Sequence, residues 1–328
     1  MTPPTFLITI DTEGDNAWRQ TGTVQTQNAR FLPRFQALCE RYGFKPTYLT
    51  NYEMATDPVF IEFGRDIIRR SAGEIGLHIH AWHSPPEYAL TDNDASYHPY
   101  LTEYPEHVID AKIGFMTDLL EQTFEVKMTS HRGGRWAFDE RYARLLLKHG
   151  YTVDCSVTPG ISWSSNAGAP GGKGGPDYTD FPAHAYFIDL DDISRPGSSA
   201  LLEIPMTIGR SRLHRRLPGC YQWKIIGPIA HRLSEPIHWF RPLGPRPEIM
   251  REMIVAAATR SAPYLEFMQH SSEFMPGGSP YFPDVPSVER LFENLEALFG
   301  LVASHFSGAT LREYRASFSP TTSEGGSS

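Results

Sequence analysis

Cysteine is scarce. The chain of 328 residues has three, Cys39, Cys155 and Cys220, far apart and with no Cys-x-x-Cys pair. Neither a disulfide framework nor a thiolate zinc site is expected from them, and a small odd number fits a reducing compartment. Long apolar runs are also missing. None approaches the roughly 18 residues that a membrane helix needs, so no transmembrane segment is expected. The opening Met1-Thr2-Pro3-Pro4-Thr5-Phe6 has no basic stretch and no long apolar core, and does not read as a signal peptide. Together these give a cytoplasmic expectation. Basic charge is not in excess: 30 Lys and Arg stand against 38 Asp and Glu, for a net −8, the reverse of a nucleic-acid footprint. The glycine-rich stretch 168–176 lacks the Walker spacing and reads as a surface loop. What is plentiful is histidine, with 13 residues. Any metal would have to be held by histidine and carboxylate.

The first half alternates strands and helices. Strands are expected at 6–10, 46–50, 74–78, 127–130 and 151–156. Helices are expected at 29–42, 57–70, 105–124 and 139–149, with Asp57 as an N-cap before Pro58. A strand at 201–208, a helix at 247–261, a strand at 264–268 and a closing helix at 287–306 follow. This alternation predicts an α/β fold with a parallel sheet or barrel. One domain is expected over 1–315, with an irregular insertion at 209–245 and a disordered tail at 316–328.

Asp11, His78, Arg132, Asp154 and His270 each fall at or just past the end of an apolar strand, the edge where parallel α/β folds build their sites. Asp11-Thr12-Glu13-Gly14-Asp15 places three carboxylates in five residues, which repel unless a cation neutralises them. In Gly76-Leu77-His78-Ile79-His80-Ala81-Trp82-His83, His78 and His80 share a face of a strand; were the chain helical there, His80 and His83 would be neighbours. Either way two imidazoles are offered to one ion. In His131-Arg132-Gly133-Gly134-Arg135-Trp136 the glycines permit close backbone approach, and Arg132 suits a carboxylate. His270, after the last strand, suits a proton donor.

These motifs, in this order, resemble the polysaccharide deacetylases with a NodB-homology domain, carbohydrate esterase family 4. The closer likeness is to a WalW-like bacterial branch associated with lipopolysaccharide synthesis. It is carried by Ile10 to Asn16, Glu74 to Trp82, Arg132 to Trp136 and the long string His270 to Tyr281. The resemblance implies a distorted (β/α) barrel, a divalent metal (zinc), and hydrolysis of an N-acetyl group on an amino sugar of a glycan or glycolipid precursor. By motif, Asp11 is the general base, Glu13 and His78 are metal ligands, Arg132 orients the base, Asp154 helps to position charged groups, and His270 is the catalytic acid. Three motifs depart from the commonest pattern. Thr12 separates the two acids. Gly134 and Arg135 stand where a proline and a tyrosine are usual. Trp82 occupies the place four past His78, so the second histidine ligand falls to His80 or His83, with His80 preferred.

Two rival readings remain open. One is a metal-dependent amidase or deformylase acting on a lipid-linked or non-sugar substrate. The other is an inactive sugar- or lipid-binding domain, motivated by Arg210, Arg212, Arg215 and Arg216 with Trp223, Trp239 and Phe240 in the insertion. That patch suggests peripheral contact with anionic headgroups.

Overall fold

The structure, a computed structural model, describes residues 4–15, 24–210, 237–243 and 247–319. Most of the expected insertion, with Arg212, Arg215, Arg216, Trp223 and Cys220, lies outside the described residues.

Eleven strands are described: β1 (Thr5–Thr12), β2 (Thr47–Thr50), β3 (Glu74–Ile79), β4 (Ser130–Gly133), β5 (Val153–Asp154), β6 (Tyr186–Phe187), β7 (Leu202–Glu203), β8 (Ile208–Arg210), β9 (Ile237–Trp239), β10 (Tyr264–His270) and β11 (Ser307–Ala309). The main helices are α1 (Leu32–Arg41), α2 (Pro58–Arg69), α3 (Glu106–Phe124), α4 (Glu140–Lys148), α5 (Pro247–Thr259), α6 (Val285–Ala303) and α7 (Leu311–Ser317). The principal sheet has the order β10-β1-β2-β3-β4-β5-β7-β6, parallel except where β6 meets β7, with β11 alongside β1. β8 and β9 form a separate antiparallel pair at the base of the insertion.

The sheet curls until its ends approach. No ladder joins β7 to β10, but the chain leaving β7 crosses the gap. Tyr264 Oη donates to Pro205 O at 2.7 Å, Glu266 N donates to Thr207 Oγ1 at 2.9 Å, and Met268 N donates to Phe240 O at 3.4 Å. The result is the expected distorted α/β barrel, closed by single bonds where a strand pair would stand.

Strand alternation sorts the side chains. Phe6, Ile8 and Ile10 of β1 and Ile75, Leu77 and Ile79 of β3 join the outer core beneath the helices. The inward positions form three layers. At the bottom Leu7, Leu49, Val153, Leu202 and Tyr264 pack together. In the middle lie Thr9, Arg132 and Glu266, and at the top Asp11, His78 and His270.

Three differences from expectation have physical causes. β4 runs Ser130–Gly133 rather than 127–130, because the polar string Ser130-His131-Arg132 is fully buried and paired, Leu77 against His131 and His78 against Arg132. Residues 316 and 317 are helical rather than tail: Thr310 and Glu313 form a capping box, and Leu311 and Tyr314 anchor α7 in the bottom layer. Phe240 turns inward rather than toward a partner, packing on Phe6 and Phe267 at 6.3 and 6.1 Å between ring centroids.

α7 therefore plugs the barrel. Leu311→Ala should lower unfolding free energy in urea by about 2–5 kcal/mol, the usual cost of a buried leucine cavity. A loss below about 1 kcal/mol would show that the helix is no plug.

Candidate metal and catalytic site

At the top of the barrel, β1 ends in Asp11 and Thr12, and the next turn carries Glu13, whose backbone N–H donates to Ser271 Oγ at 3.1 Å. Asp15, third of the clustered carboxylates, points away. It accepts from Gln27 N and Asn28 N at 2.9 and 3.0 Å and serves the local turn.

Glu13, His78 and His80 place one ligand atom each within 4.8 Å of one another, a cluster able to hold a divalent ion. Glu13 Oε1 lies 3.0 Å from His78 Nε2 and in short contact with His80 Nε2. A tetrahedral ion with bonds near 2.0–2.1 Å separates its ligands by about 3.3 Å, so the spacing suits one. Chemistry agrees. His78 Nδ1 donates to the Arg132 carbonyl at 2.8 Å, which leaves its Nε2 with a lone pair aimed at a carboxylate oxygen. Such a pair needs a positive charge between its members, either a shared proton or a metal ion. Burial works to raise the Glu13 carboxyl, but His80 and His78 outweigh it and hold it well below the usual range. His80 is the second histidine of this cluster. His83 lines the same cavity but faces Glu53, with its Nδ1 3.8 Å from Oε1.

The glycine pair explains itself here. A Cβ on Gly134 would sit 2.6 Å from both His80 Nδ1 and Ile79 O, so only glycine lets the turn after β4 pass the His80 ring.

Asp11 is the second focus. Its Oδ1 accepts from Arg132 Nη1 at 2.7 Å, and its Oδ2 lies 3.9 Å from His270 Nε2. Burial opposes ionisation, but Arg132, then His78 and His270, more than offset it and lower the Asp11 pKa. Arg132 is wholly buried, with Nη2 donating to Glu266 Oε1 at 2.5 Å and to Thr9 Oγ1 at 2.9 Å, and Nε to Cys155 O at 3.0 Å. His270 Nδ1 lies 2.6 Å from Arg241 Nη2. A guanidinium only donates, so Nδ1 accepts and the ring proton sits on Nε2, facing Asp11 and Glu13.

Asp154 is not brought to this cavity. The parity of β5 sends it behind the sheet, where its Oδ1 accepts from His131 Nδ1 at 2.6 Å and Oδ2 from Ser156 N at 2.9 Å. Its link to the site is indirect: Ser156 Oγ accepts from Gly133 N at 2.8 Å. The second carboxylate on Arg132, beside Asp11, is Glu266 instead. One signal could have revealed it, a lone acid at an inward position of the apolar strand Tyr264-Leu265-Glu266-Phe267-Met268. Arg241 gave no signal, since it sits in the irregular insertion. Glu53, also on the cavity wall, was hidden in an ordinary helical sequence.

The cavity holds about 260 Å3, and Trp82, Arg135 and Trp136 line its outer part. No protein-family model matches the sequence, and no curated protein matches it. Solved structures do match in shape. A protein described as a candidate polysaccharide deacetylase from Mycobacterium smegmatis aligns with TM-score 0.52 and 12% identity, over 97% of this chain and 93% of that one. A candidate glycoside hydrolase/deacetylase from Parabacteroides distasonis aligns at 0.57 and 10%, over 96% and 71%. A 4-alpha-glucanotransferase from Thermococcus litoralis aligns at 0.55 and 12%, over 98% and 41%. What is shared is the fold. Three described activities stand on it, so chemistry has to be argued from the side chains.

Two outcomes follow from this geometry. Gly134→Ala should push His80 out of place and weaken metal binding about 10–100-fold in competition with a chromophoric chelator. Unchanged affinity would separate His80 from the ligand set. Burial raises the Glu53 carboxyl to about 7, from an ordinary 4.5. Because this folded value lies above the unfolded one, the contribution to stability is present below pH 4.5 and fades as pH rises through 7. Metal-free wild type should therefore lose about 2 kcal/mol more stability than Glu53→Gln between pH 5 and pH 8. Parallel urea curves for the two proteins at both pH values would refute this.

Proposed function

We propose that this protein is a metal-dependent carbohydrate N-deacetylase, a hydrolase that removes an N-acetyl or other N-acyl group from an amino sugar of a polysaccharide, a lipopolysaccharide or a precursor of either. The observation that carries the reading is one cavity in which an arginine-held aspartate, a Glu/His/His cluster and a histidine bearing its proton on Nε2 converge. Its volume of about 260 Å3 has room for a sugar residue. In this reading residues 1–315 form one catalytic domain, and the unpaired, buried Cys39 and Cys155 fit a cytoplasmic setting.

Glu13, His78 and His80 would hold the ion, and two imidazoles with one carboxylate suit zinc. When bound, such an ion polarises the amide carbonyl and acidifies the attacking water. The protein supplies the rest. Arg132 occupies one oxygen of Asp11 and keeps it ionised, so Oδ2 is free to take the proton of the water as it attacks the carbonyl carbon. As the C–N bond breaks, the proton that Asp11 accepted passes to the departing nitrogen, and the Nε2–H of neutral His270 beside Asp11 orients that transfer. Arg241 fixes the His270 tautomer that presents this N–H. Glu266 and Thr9 hold the far side of Arg132, so the guanidinium cannot swing away from Asp11.

The purified protein should release acetate from an N-acetylated amino-sugar oligomer, stop when chelated, and recover on addition of Zn2+. Asp11→Asn should lower kcat by about 10²–10⁴-fold, the usual worth of a general base, with metal content nearly unchanged. Metal loss in that variant would make Asp11 a ligand. Acetate release that persists under chelation would sink the metal-dependent reading.

A further inference from the structure

Immediately after β4 the chain makes a tight turn, Gly134–Trp136, and two residues of it lie in the left-handed region: Arg135 at φ 54° and Trp136 at φ 63°. Neither is glycine or asparagine, so both are strained, and strain of this kind persists only where the surroundings enforce it. They do. Ala137 N donates to Gly134 O at 3.1 Å, and the Tyr178 hydroxyl donates to Trp136 O. The Trp136 ring packs on Trp239 with centroids 5.7 Å apart, and the Arg132 guanidinium lies 5.1 Å from the Trp136 ring centroid. The enforced turn delivers the side chains of Arg135 and Trp136 to the outer cavity wall.

Arginine recurs around this cavity, but its settings differ. Arg132 is paired with Asp11 and Glu266, and Arg241 with Glu273. Arg135 is exposed and makes no ion pair among the described residues. Its guanidinium lies 5.5 Å from the Trp82 ring centroid, on the same side as the Tyr100 hydroxyl. It is thus a cation resting over Trp82, with no carboxylate paired to it among the described residues, on the wall of the cavity.

We infer that the substrate carries an anionic group, a carboxylate or a phosphate monoester, which Arg135 clamps at the mouth of the cavity. The guanidinium fork matches both groups in a bidentate pair, and the indole of Trp82 beneath it pre-orients that fork. A neutral sugar would offer Arg135 hydroxyl contacts alone. This assignment rests on the reading of the cavity as an amino-sugar site, and it names the class of sugar.

The test compares the binding of N-acetylglucosamine with that of its 1-phosphate, its 6-phosphate and N-acetylglucosaminuronic acid, by tryptophan fluorescence on the full chain. At least one anionic sugar should bind 10-fold or more tightly than the neutral one. Arg135→Gln should reduce that ratio to within about twofold, and Arg135→Lys should restore part of it. The wild-type ratio should also shrink with added salt, as a solvent-facing charge pair requires. Equal binding of all four sugars, or a preference that survives in Arg135→Gln, overturns the assignment. Acyl release is measured on the same sugars. Its absence from all four, with the Arg135-dependent preference intact, would overturn the deacetylase reading while leaving the anion clamp standing.

Discussion

A guanidinium buried inside a barrel organises this protein. Arg132 is inaccessible to solvent and would be prohibitively costly there alone, since a buried charge must be paired and hydrogen-bonded to be tolerated. Its donors are met on three strands, by Asp11 and Thr9 on β1, by Glu266 on β10 and by the carbonyl of Cys155 after β5. β10 and β5 lie on opposite sides of β4 and β1 in the sheet order, so these bonds can form only if the sheet curls. The same interaction therefore draws the open sheet toward a barrel and aims a carboxylate at the cavity. It also couples the two halves of the site. The Arg132 side chain holds Asp11, while its backbone carbonyl fixes the tautomer of His78.

Charge balance carries the metal argument further than spacing does. Near the top of the barrel Asp11 and Glu13 are both held below their usual pKa range despite burial. Arg132 is shared between Asp11 and Glu266, and Arg241 is engaged by Glu273. Burial raises Glu266 to about 7, which relieves part of the excess negative charge by letting that carboxyl take up a proton near neutrality. Glu53 behaves in the same way for the same reason. What remains is Glu13 between two imidazoles, and a divalent cation there removes the surplus without asking either histidine to stay protonated.

The sequence was most legible where a single strand carries the chemistry. His78 and His80 share a face by parity alone, and Asp11 and His270 sit at the ends of β1 and β10, whose registers pair directly. It was least legible where the outcome depends on which face of a strand looks inward. Asp154 ends a strand as Asp11 does, yet β5 turns it outward to His131. Arg132 read as a loop residue because a strand of Ser, His and Arg contradicts β-propensity. Tertiary pairing overrode that preference, because each of those polar groups finds a buried partner. Arg241 could not be reached from sequence at all: its value lies in meeting His270, 29 positions further along the chain, and no local pattern encodes that contact.

Trp82, Gly134 and Arg135 fall on one side of the cavity, and they fit one another. In space these are neighbours. Gly134 makes room for His80, and the left-handed turn that follows carries Arg135 over Trp82. Without a side chain at Gly134, the chain leaving β4 closes on the His80 ring, and the strand end two residues beyond His80 is taken by an aromatic. The three residues therefore act as one structural unit. They set an aromatic and cationic rim beside a Glu/His/His cluster able to hold an ion, so the cavity joins a polar floor to a wall built for contact with whatever extends beyond it.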